Sequence, residues 1–203
     1  MAENVIEGQW PIVSSRRPIR LPTAAGDVLV QLAQVKGGNL LVVTSLLVVE
    51  LPVVRFQSAC VFGEGLHATD CDCGVQLQAA TALICREGGV LTYAWEEGRS
   101  LGIEKKMDAI ALQQAEGIDT AEAFARLGMP AEPRTFDNHV SALRMVFTGR
   151  RVRLASRNAA KIEALARAEI EVTERIDLDV PLTPERSSYL ASKIAALGHI
   201  NEP

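Results

Sequence analysis

The chain of 203 residues is 48% hydrophobic and 23% charged, values typical of a globular protein that can bury a real core. Its formal net charge of -4 argues against nucleic acid or an anionic membrane as the binding partner. We expect a single domain over residues 1–203, with about residues 1–18 forming a flexible N-terminal extension.

The apolar segments indicate neither a secretory signal nor a membrane helix. The N-terminal MAENVIEGQWPIVSSRR has early acids and no apolar core. The most apolar run, 39–54, is shorter than the roughly 20 residues of a membrane helix and contains Glu50 and Pro52. Its valine-rich composition favours buried strands. Four cysteines without an export signal indicate a reducing compartment, so we expect a cytoplasmic protein without stable disulfides.

The pattern of elements changes near Gly74. Residues 20–55 alternate like strands, with turn residues in AAGD and KGGN, whereas VQLQAATALICREGG has helical spacing up to Gly88. The later segments are predicted, in chain order, as a strand at VLTYAW, helices at EKKMDAIALQQAEG, DTAEAFARLG and DNHVSALRMVFTG, a strand at RVRLAS, a helix at NAAKIEALARAEI, a strand at EVTERIDL and a closing helix at PERSSYLASKIAALGHI. This predicts an α+β (mixed α/β) fold, with a strand-rich N-terminal half packed against alternating strands and helices.

The stretch CVFGEGLHATDCDCG contains Cys60, Cys71 and Cys73. Two thiols on one tight loop before a helix, joined by a third from the end of a strand, suit a zinc ion with one position open to water. Ordinary buried cysteines are the alternative, because this spacing alone is a weak signal. His67 is a candidate fourth ligand, which would close the site. Cys85, mid-helix among apolar residues, is predicted to pack in the core.

Several motifs together resemble GTP cyclohydrolase II. The segments CVFGEGLHATDCDCGVQLQAA, EEGRSLG, DTAEAFARLG and RNAAKI occur in the order and spacing of that family, and the similarity runs from about Leu21 to the end of the chain. Enzymes of this family open the imidazole ring of GTP and release formate and pyrophosphate at the start of riboflavin synthesis. They are dimeric, so the resemblance implies a homodimer.

The resemblance also implies roles for individual residues. Zinc would be held by Cys60, Cys71 and Cys73, and Mg²⁺ would accompany the polyphosphate of a nucleotide substrate. Glu132 matches the proton acceptor, and Arg134 matches the nucleophile or clamp at the α-phosphate. The positions that match substrate contacts are Arg55, Ser58, Gln76, Glu97, Gly98, Arg99, Thr120, Ser156 and Lys161. On its own, Thr120 reads equally well as a helix cap, and each of the other polar positions reads as a solvated surface residue.

The chain departs from the family pattern close to the same motifs. The mild changes are Glu132 for an aspartate and Ser156 for a threonine. The others are Gln57 for histidine, Ala59 for glutamate, Asp70 for arginine, Trp95 and Glu96 for an Arg-Gln pair, and Ile110 for a tyrosine near the reacting ring. Because an alkyl group cannot donate a hydrogen bond or a proton, the change at Ile110 affects chemistry as well as binding. The metal-binding and phosphate-side residues are kept, while the base-side residues change.

These observations predict a zinc-dependent hydrolase that opens the nucleobase ring of a nucleotide with altered base recognition. GTP is the first candidate substrate, with release of formate and, as an open question, of pyrophosphate. One alternative is ring opening of a uracil nucleotide. The other is a nucleotide-binding pseudoenzyme in which zinc serves structure alone.

Overall fold

Eight strands form one mixed sheet in the computed structural model, which describes residues 12–15, 17–130, 132–178 and 180. The strands are β1 Ile12–Ser15, β2 Ile19–Thr23, β3 Gly26–Val35, β4 Gly38–Ser45, β5 Val53–Ser58, β6 Gly89–Ala94, β7 Arg151–Leu154 and β8 Glu171–Arg175. The helices of the described residues are α1 Val61–Glu64, α2 Cys73–Glu87, α3 Ile103–Glu116, α4 Thr120–Arg126, α5 Asp137–Arg144 and α6 Ala159–Arg167. The strand order is β1, β3, β4, β6, β5, β7, β8, and β2 also pairs with β3.

The N-terminal part of the sheet is antiparallel. Strand β3 pairs with β2 on one side and β4 on the other, and β4 continues the pattern with β6. Val35 lies opposite Gly38, so the β3–β4 hairpin closes through a two-residue loop. Gly38 has a φ of 129°, a conformation that glycine adopts readily. The turn predicted at KGGN is therefore confirmed.

The C-terminal part of the sheet is parallel. Strand β5 runs parallel to β6 and to β7, and β7 runs parallel to β8. Parallel neighbours need a crossover connection, which α2 provides between β5 and β6, and α6 between β7 and β8. The carboxyl ends of β5, β6 and β7 consequently meet at one edge of the sheet, where open α/β sheets bind their ligands.

Helices cover both faces of this sheet. In β5, Val54 and Phe56 belong to the larger core with residues of α5 and α6, whereas Val53 belongs to a second core with residues of α2. Side chains alternate between the faces of a strand, so Arg55 and Gln57 share the α2 face with Val53. A third, small apolar cluster joins α3 and α4 through Ala109, Ala123 and Phe124.

The predicted elements agree closely with these bounds. The mixed α/β fold class is confirmed, and α2 to α6 and β6 to β8 each overlap the segment predicted for them, with α2, α3 and β6 beginning one or two residues earlier. The FGEG segment contributes to the single-turn helix α1. The closing helix predicted at 184–200 lies outside the described residues, as do residues 1–11 of the expected extension. Within the described part of the chain, no helix is both long and apolar enough to cross a membrane.

Candidate active site

The candidate site lies at the carboxyl ends of β5, β6 and β7. Strand β5 ends at Ser58, two residues before Cys60, and β6 ends at Ala94, just before Trp95 and Glu96. Ser156 follows two residues after the end of β7. Parallel pairing thus brings three separate polar segments of the sequence to one edge.

The three cysteines converge at this edge. Cys60 is the N-cap of α1, Cys71 lies in the loop before α2, and Cys73 is the first residue of α2. The sulfur atoms of Cys60 and Cys71 are 3.9 Å apart, and all three sulfurs lie within 4.8 Å of one another. Close packing fixes the loops: a Cβ on Gly63 would lie 2.7 Å from the Cys71 sulfur, and a Cβ on Gly74 would lie 2.1 Å from the Gly63 carbonyl oxygen.

The donor set fits a zinc ion. Three soft sulfur ligands at these separations suit tetrahedral zinc and leave one coordination position. Hydrogen bonds from Cys71 and then Cys73 hold the pKa of the Cys60 thiol far below its ordinary range. The pKa of the Cys71 thiol is raised, first of all by its hydrogen bond with Cys60. The lowered pKa of Cys60 favours the thiolate, which is the ligand form that zinc binds.

His67, the candidate fourth ligand, and Cys85, the remaining cysteine, stand apart from this cluster. Among the described residues, the convergent donor group contains the three cysteines and does not include His67, which is exposed with a φ of 54°. Cys85 lies in α2, and burial followed by the charge of Asp27 raises the pKa of its thiol. A Cβ on Gly26 would be 3.7 Å from the Cys85 sulfur, so Cys85 packs against β3. The open, three-sulfur arrangement is the geometry that catalytic zinc sites use.

Glu97 and Lys106 border the cysteine cluster. The Lys106 ammonium donates to the Cys60 sulfur at 3.1 Å and to Glu97 Oε1 at 2.5 Å, and Glu97 Oε2 accepts from the Val61 N–H at 2.8 Å. Burial lowers the pKa of Lys106, but the hydrogen bonds to Glu97 and Cys60 outweigh it and place the pKa above its ordinary value. Sequence reasoning selected Glu97 and missed Lys106. Its position three residues before the buried Ala109, on the inner face of α3, is the signal that could have identified it.

Arg55 and Gln76 form a polar network behind the cysteines. Arg55 donates to Gln76 Oε1 at 2.7 Å, to Gln57 Oε1 at 2.9 Å and to the Ala155 carbonyl at 2.8 Å. Gln76 donates in turn to Asp72 at 2.5 Å. Burial lowers the pKa of Arg55 to about 10, so the guanidinium stays charged at neutral pH. The amide of Gln76, one of the predicted substrate contacts, is here oriented by Arg55 and Asp72.

Gln57, which stands where the family has histidine, links this network to Glu64. Its amide donates to Glu64 Oε1 at 2.9 Å, and the Tyr93 hydroxyl donates to Glu64 Oε2 at 2.6 Å. Burial and then the hydrogen bond to Glu64 raise the pKa of Tyr93 well above its ordinary value. Glu64 and Tyr93 were not identified from the sequence. Ala59 offers no carboxylate beside Cys60, and Asp70 places a carboxylate instead of an arginine beside Cys71.

Glu132 and Arg134, two of the predicted site residues, contact each other directly. Arg134 donates to Glu132 through Nε at 2.6 Å and through Nη2 at 2.5 Å, and its Nη1 donates to Ser58 Oγ at 3.2 Å. Asn158 also donates to Glu132 at 3.3 Å. Burial raises the pKa of Glu132, but the Arg134 hydrogen bonds outweigh it and the net pKa lies below its ordinary value. Glu132 is therefore a carboxylate at neutral pH.

Glu96 joins this group to a buried histidine. Its Oε2 accepts from Ser58 Oγ at 3.2 Å and lies 3.6 Å from His139 Nε2. His139 is fully buried in α5, stacks on Phe56, and its Nδ1 lies 2.8 Å from Thr92 Oγ1. Burial lowers the pKa of His139 below its ordinary value, so the ring is neutral at neutral pH. Sequence reasoning noted Glu96 only as a departure and missed His139.

Three other predicted site residues, Ser156, Lys161 and Thr120, lie outside the pocket lining. Ser156 Oγ accepts from the Asn158 N–H at 3.2 Å, and Lys161 donates to the Phe56 carbonyl at 2.7 Å. Both side chains are buried in this conformation. Thr120 donates to Gln113 at 3.0 Å between α4 and α3, while Asp119 supplies the cap of α4.

Gly98 and Arg99 lie in a loop of positive φ angles after β6, close to the pocket but not among its lining residues. The Arg99 guanidinium lies 4.9 Å from the centre of the Phe124 ring. Ile110 is half-buried in α3. This loop thus connects the sheet edge to the α3–α4 pair.

A pocket of about 430 Å³ opens between these groups. Two predicted site residues that are distant in the sequence, Glu97 and Arg134, line this pocket. Trp95 and Glu96 also line it. Trp95 is 56% exposed and packs edge-on against Tyr93, with ring centres 5.9 Å apart. The full lining is Gly37, Trp95, Glu96, Glu97, Ser100, Gly102, Pro133, Arg134, Thr135, Phe136 and Asn138.

Comparisons with known proteins agree with this geometry. A family model described as GTP cyclohydrolase II matches residues 16–177. The riboflavin biosynthesis protein RibBA of Bacillus mycoides (strain KBAB4) is 42% identical over 149 residues, and that of Bacillus cytotoxicus is 40% identical over the same length. Each alignment covers 73% of this chain and 37% of the relative, so the chain matches little more than a third of the length of these curated relatives.

Proposed function

The chain belongs to the GTP cyclohydrolase II family, and from that premise we propose that it is a zinc-dependent hydrolase that opens the nucleobase ring of a nucleotide. GTP is the first substrate to consider, with formate as one product. The observation that carries the proposal is that the candidate phosphate-binding arginine and the three-cysteine cluster lie close together at one sheet edge. Ser58, which accepts from Arg134, is two residues from Cys60 in the metal cluster.

Cys60, Cys71 and Cys73 would hold the zinc ion in this proposal. When bound, zinc supplies the Lewis acidity that activates water for hydrolysis. The single-turn helix α1 and the start of α2 hold the three sulfurs in position, with the N–H of Gly63 donating to Cys60 at 3.4 Å. The chain thus contributes a pre-organised ligand set with a coordination position left open.

Arg134 and Glu132 provide the phosphate-side and proton-transfer functions. The Arg134 guanidinium is fixed by Glu132 and Ser58 at the pocket wall, where its permanent charge attracts phosphate oxygens. The Glu132 carboxylate is ionised and can accept a proton from the substrate. Ser156 and Lys161 lie on the same side and become phosphate contacts if their side chains leave their present backbone partners.

Base recognition is proposed to differ from that of the family. Gln57 and Ile110 replace a histidine and a tyrosine, and Gln57 now connects Arg55 to Glu64. A site built around one set of hydrogen bonds discriminates steeply against a ligand that leaves polar groups unpaired. The altered set therefore bears on which base is accepted, and a uracil nucleotide is the second candidate.

A substrate screen tests the proposal. Zinc-loaded protein would be incubated with Mg²⁺ and either GTP or uridine triphosphate, and products would be followed by mass spectrometry, ultraviolet absorbance and formate release. We expect a ring-opened product from one nucleotide, and the mass of that product shows whether pyrophosphate also leaves. Tight nucleotide binding without turnover of either compound would instead identify a pseudoenzyme with structural zinc.

Two further properties accompany the proposal. Mg²⁺ would bind the substrate polyphosphate beside Arg134, because the triphosphate carries the excess negative charge. A homodimer is expected from the family resemblance, and sedimentation of the purified chain measures it directly.

A further inference from the structure

Lys106 contacts a metal-binding sulfur directly. Its ammonium lies 3.1 Å from the Cys60 sulfur and 2.5 Å from Glu97 Oε1, and 4.5 Å from the centre of the Phe62 ring. Glu97 is itself anchored by the Val61 N–H at 2.8 Å. The ammonium is therefore held from three directions, and one of its hydrogen bonds points at the metal cluster.

The burial of Lys106 distinguishes it from the neighbouring lysine. The Lys106 side chain is 18% exposed, whereas Lys105 is 55% exposed and pairs with Asp108 on the outer face of α3. Lysine rarely gives up hydration without a charged partner. Glu97, 16% exposed, is that partner, and the ion pair aims the ammonium at Cys60.

The hydrogen bond from Lys106 to Cys60 places a positive charge beside a metal centre that would carry net negative charge. Three thiolates on a divalent cation leave one net negative charge, and each thiolate donates electron density that weakens the cation as a Lewis acid. A hydrogen bond from an ammonium withdraws density from the sulfur that accepts it and offsets the excess charge. Groups that bond to ligands in this way commonly alter metal affinity by about tenfold to a hundredfold.

We propose that Lys106 tunes the three-cysteine metal centre, with Glu97 holding its ammonium on the Cys60 sulfur. The inference rests on the metal site of the proposed function but not on the identity of the substrate. Lys106 is a positioning residue, since it acts through Cys60. It makes the thiolate cluster more favourable for a divalent ion and keeps the ion more electrophilic.

Metal binding by Lys106→Met tests the proposal, with Lys105→Met as the matched control from the same turn of α3. Zinc affinity would be measured by chelator competition, and the sulfur-to-cobalt charge-transfer absorption would be recorded after Co²⁺ loading. We expect Lys106→Met to weaken zinc binding by at least about tenfold. We also expect its charge-transfer band to move to lower energy, because an electron-richer sulfur is more easily oxidised. Lys105→Met should match the unmodified protein in both measurements.

A third variant separates tuning from folding. Lys106→Arg keeps the charge and the donor, so it should recover most of the affinity and the original band. If Lys106→Met does not fold, Lys106→Gln replaces the ammonium with a neutral donor, and we expect the same direction of change. A folded variant without the ammonium that has unchanged affinity and band energy would overturn the proposal.

The proposed reaction and this inference fail separately. A protein that binds no metal at the three cysteines contradicts both. The spectrum of the metal centre can depend on Lys106 even if the protein opens no nucleotide ring. That outcome supports the tuning role and contradicts only the proposed reaction.

Discussion

The carboxylate of Glu132 and the guanidinium of Arg134 form a two-point ion pair, although only one residue separates them in the chain. The two hydrogen bonds are 2.6 and 2.5 Å long, and both side chains are 15% exposed. Such a fork fixes the plane of the guanidinium as well as its position. Arg134 can then present its remaining nitrogen to Ser58 and the pocket.

Replacing Arg134 by lysine should lower turnover by about a hundredfold, because an ammonium keeps the charge but loses the planar, two-point geometry. Steady-state kinetics on the nucleotide identified by the substrate screen would measure the effect. Arg126→Lys, on the exposed face of α4, is the control and should leave turnover unchanged. Equal turnover rates for Arg134→Lys and the control would show that Arg134 has no role in catalysis.

Replacing Cys71 by serine should abolish tight zinc binding, since only two sulfurs remain in the cluster. Metal content after dialysis, measured by plasma emission, should fall from one zinc per chain to a small fraction. Cys85→Ser removes a thiol outside the cluster and should retain full metal content. Loss of zinc in both variants would point to a general folding defect rather than to a ligand.

Acidification should destabilise the protein through His139. Its pKa is lowered mainly by burial, with Lys161 and Arg134 adding to the shift and Glu96 opposing it. The unfolded chain therefore binds more protons than the native state as the pH falls through about 6.5, the ordinary histidine value. The contribution of His139 to the free energy of unfolding should be at its maximum above that pH. Below that pH the contribution should decrease by at most about 1.4 kcal/mol per pH unit.

Urea denaturation at several pH values between 5 and 8 measures this slope in the unmodified protein and in His139→Gln. The variant should lose part of the slope, although burying an amide next to Glu96 also changes its absolute stability. Identical slopes in the two proteins would assign the pH dependence to other groups.

Nucleotide binding should change the fluorescence of Trp95, which lies at the pocket wall and is 56% exposed. The chain has two tryptophans, so Trp10→Phe leaves Trp95 as the single reporter. A ring that approaches the nucleobase should be quenched at saturating nucleotide, and Arg134→Lys should shift the titration to higher concentration. Turnover without any change in Trp95 emission would place the base elsewhere.

The sequence predicted the framework of this molecule because that framework follows local patterns. Alternating valines predicted β3 and β4, and helical spacing predicted α2. The three cysteines were identified as candidate zinc ligands because they occur together with the other motifs of the family. Their convergence depends on the path of the β5–α2 connection around the single-turn helix α1, which no periodic pattern describes.

The contacts that tune the site were less accessible to sequence reasoning. Lys106 lies in a charged run that resembles a solvated helix face, and only its spacing to Ala109 indicates burial. Glu64 lies in the single turn of α1, which is too short to have a periodic pattern. His139 reaches Glu96 from a helix more than forty residues later in the chain, so their pairing is a property of the tertiary fold.

The coordination shell of zinc in the loaded protein shows whether the three cysteines form an open metal centre. Zinc X-ray absorption on the loaded protein should show three sulfur atoms at about 2.3 Å and one oxygen atom at about 2.0–2.1 Å, the pattern of an open site. A shell with an additional imidazole from His67, or with fewer than three sulfurs, would contradict an open three-cysteine centre.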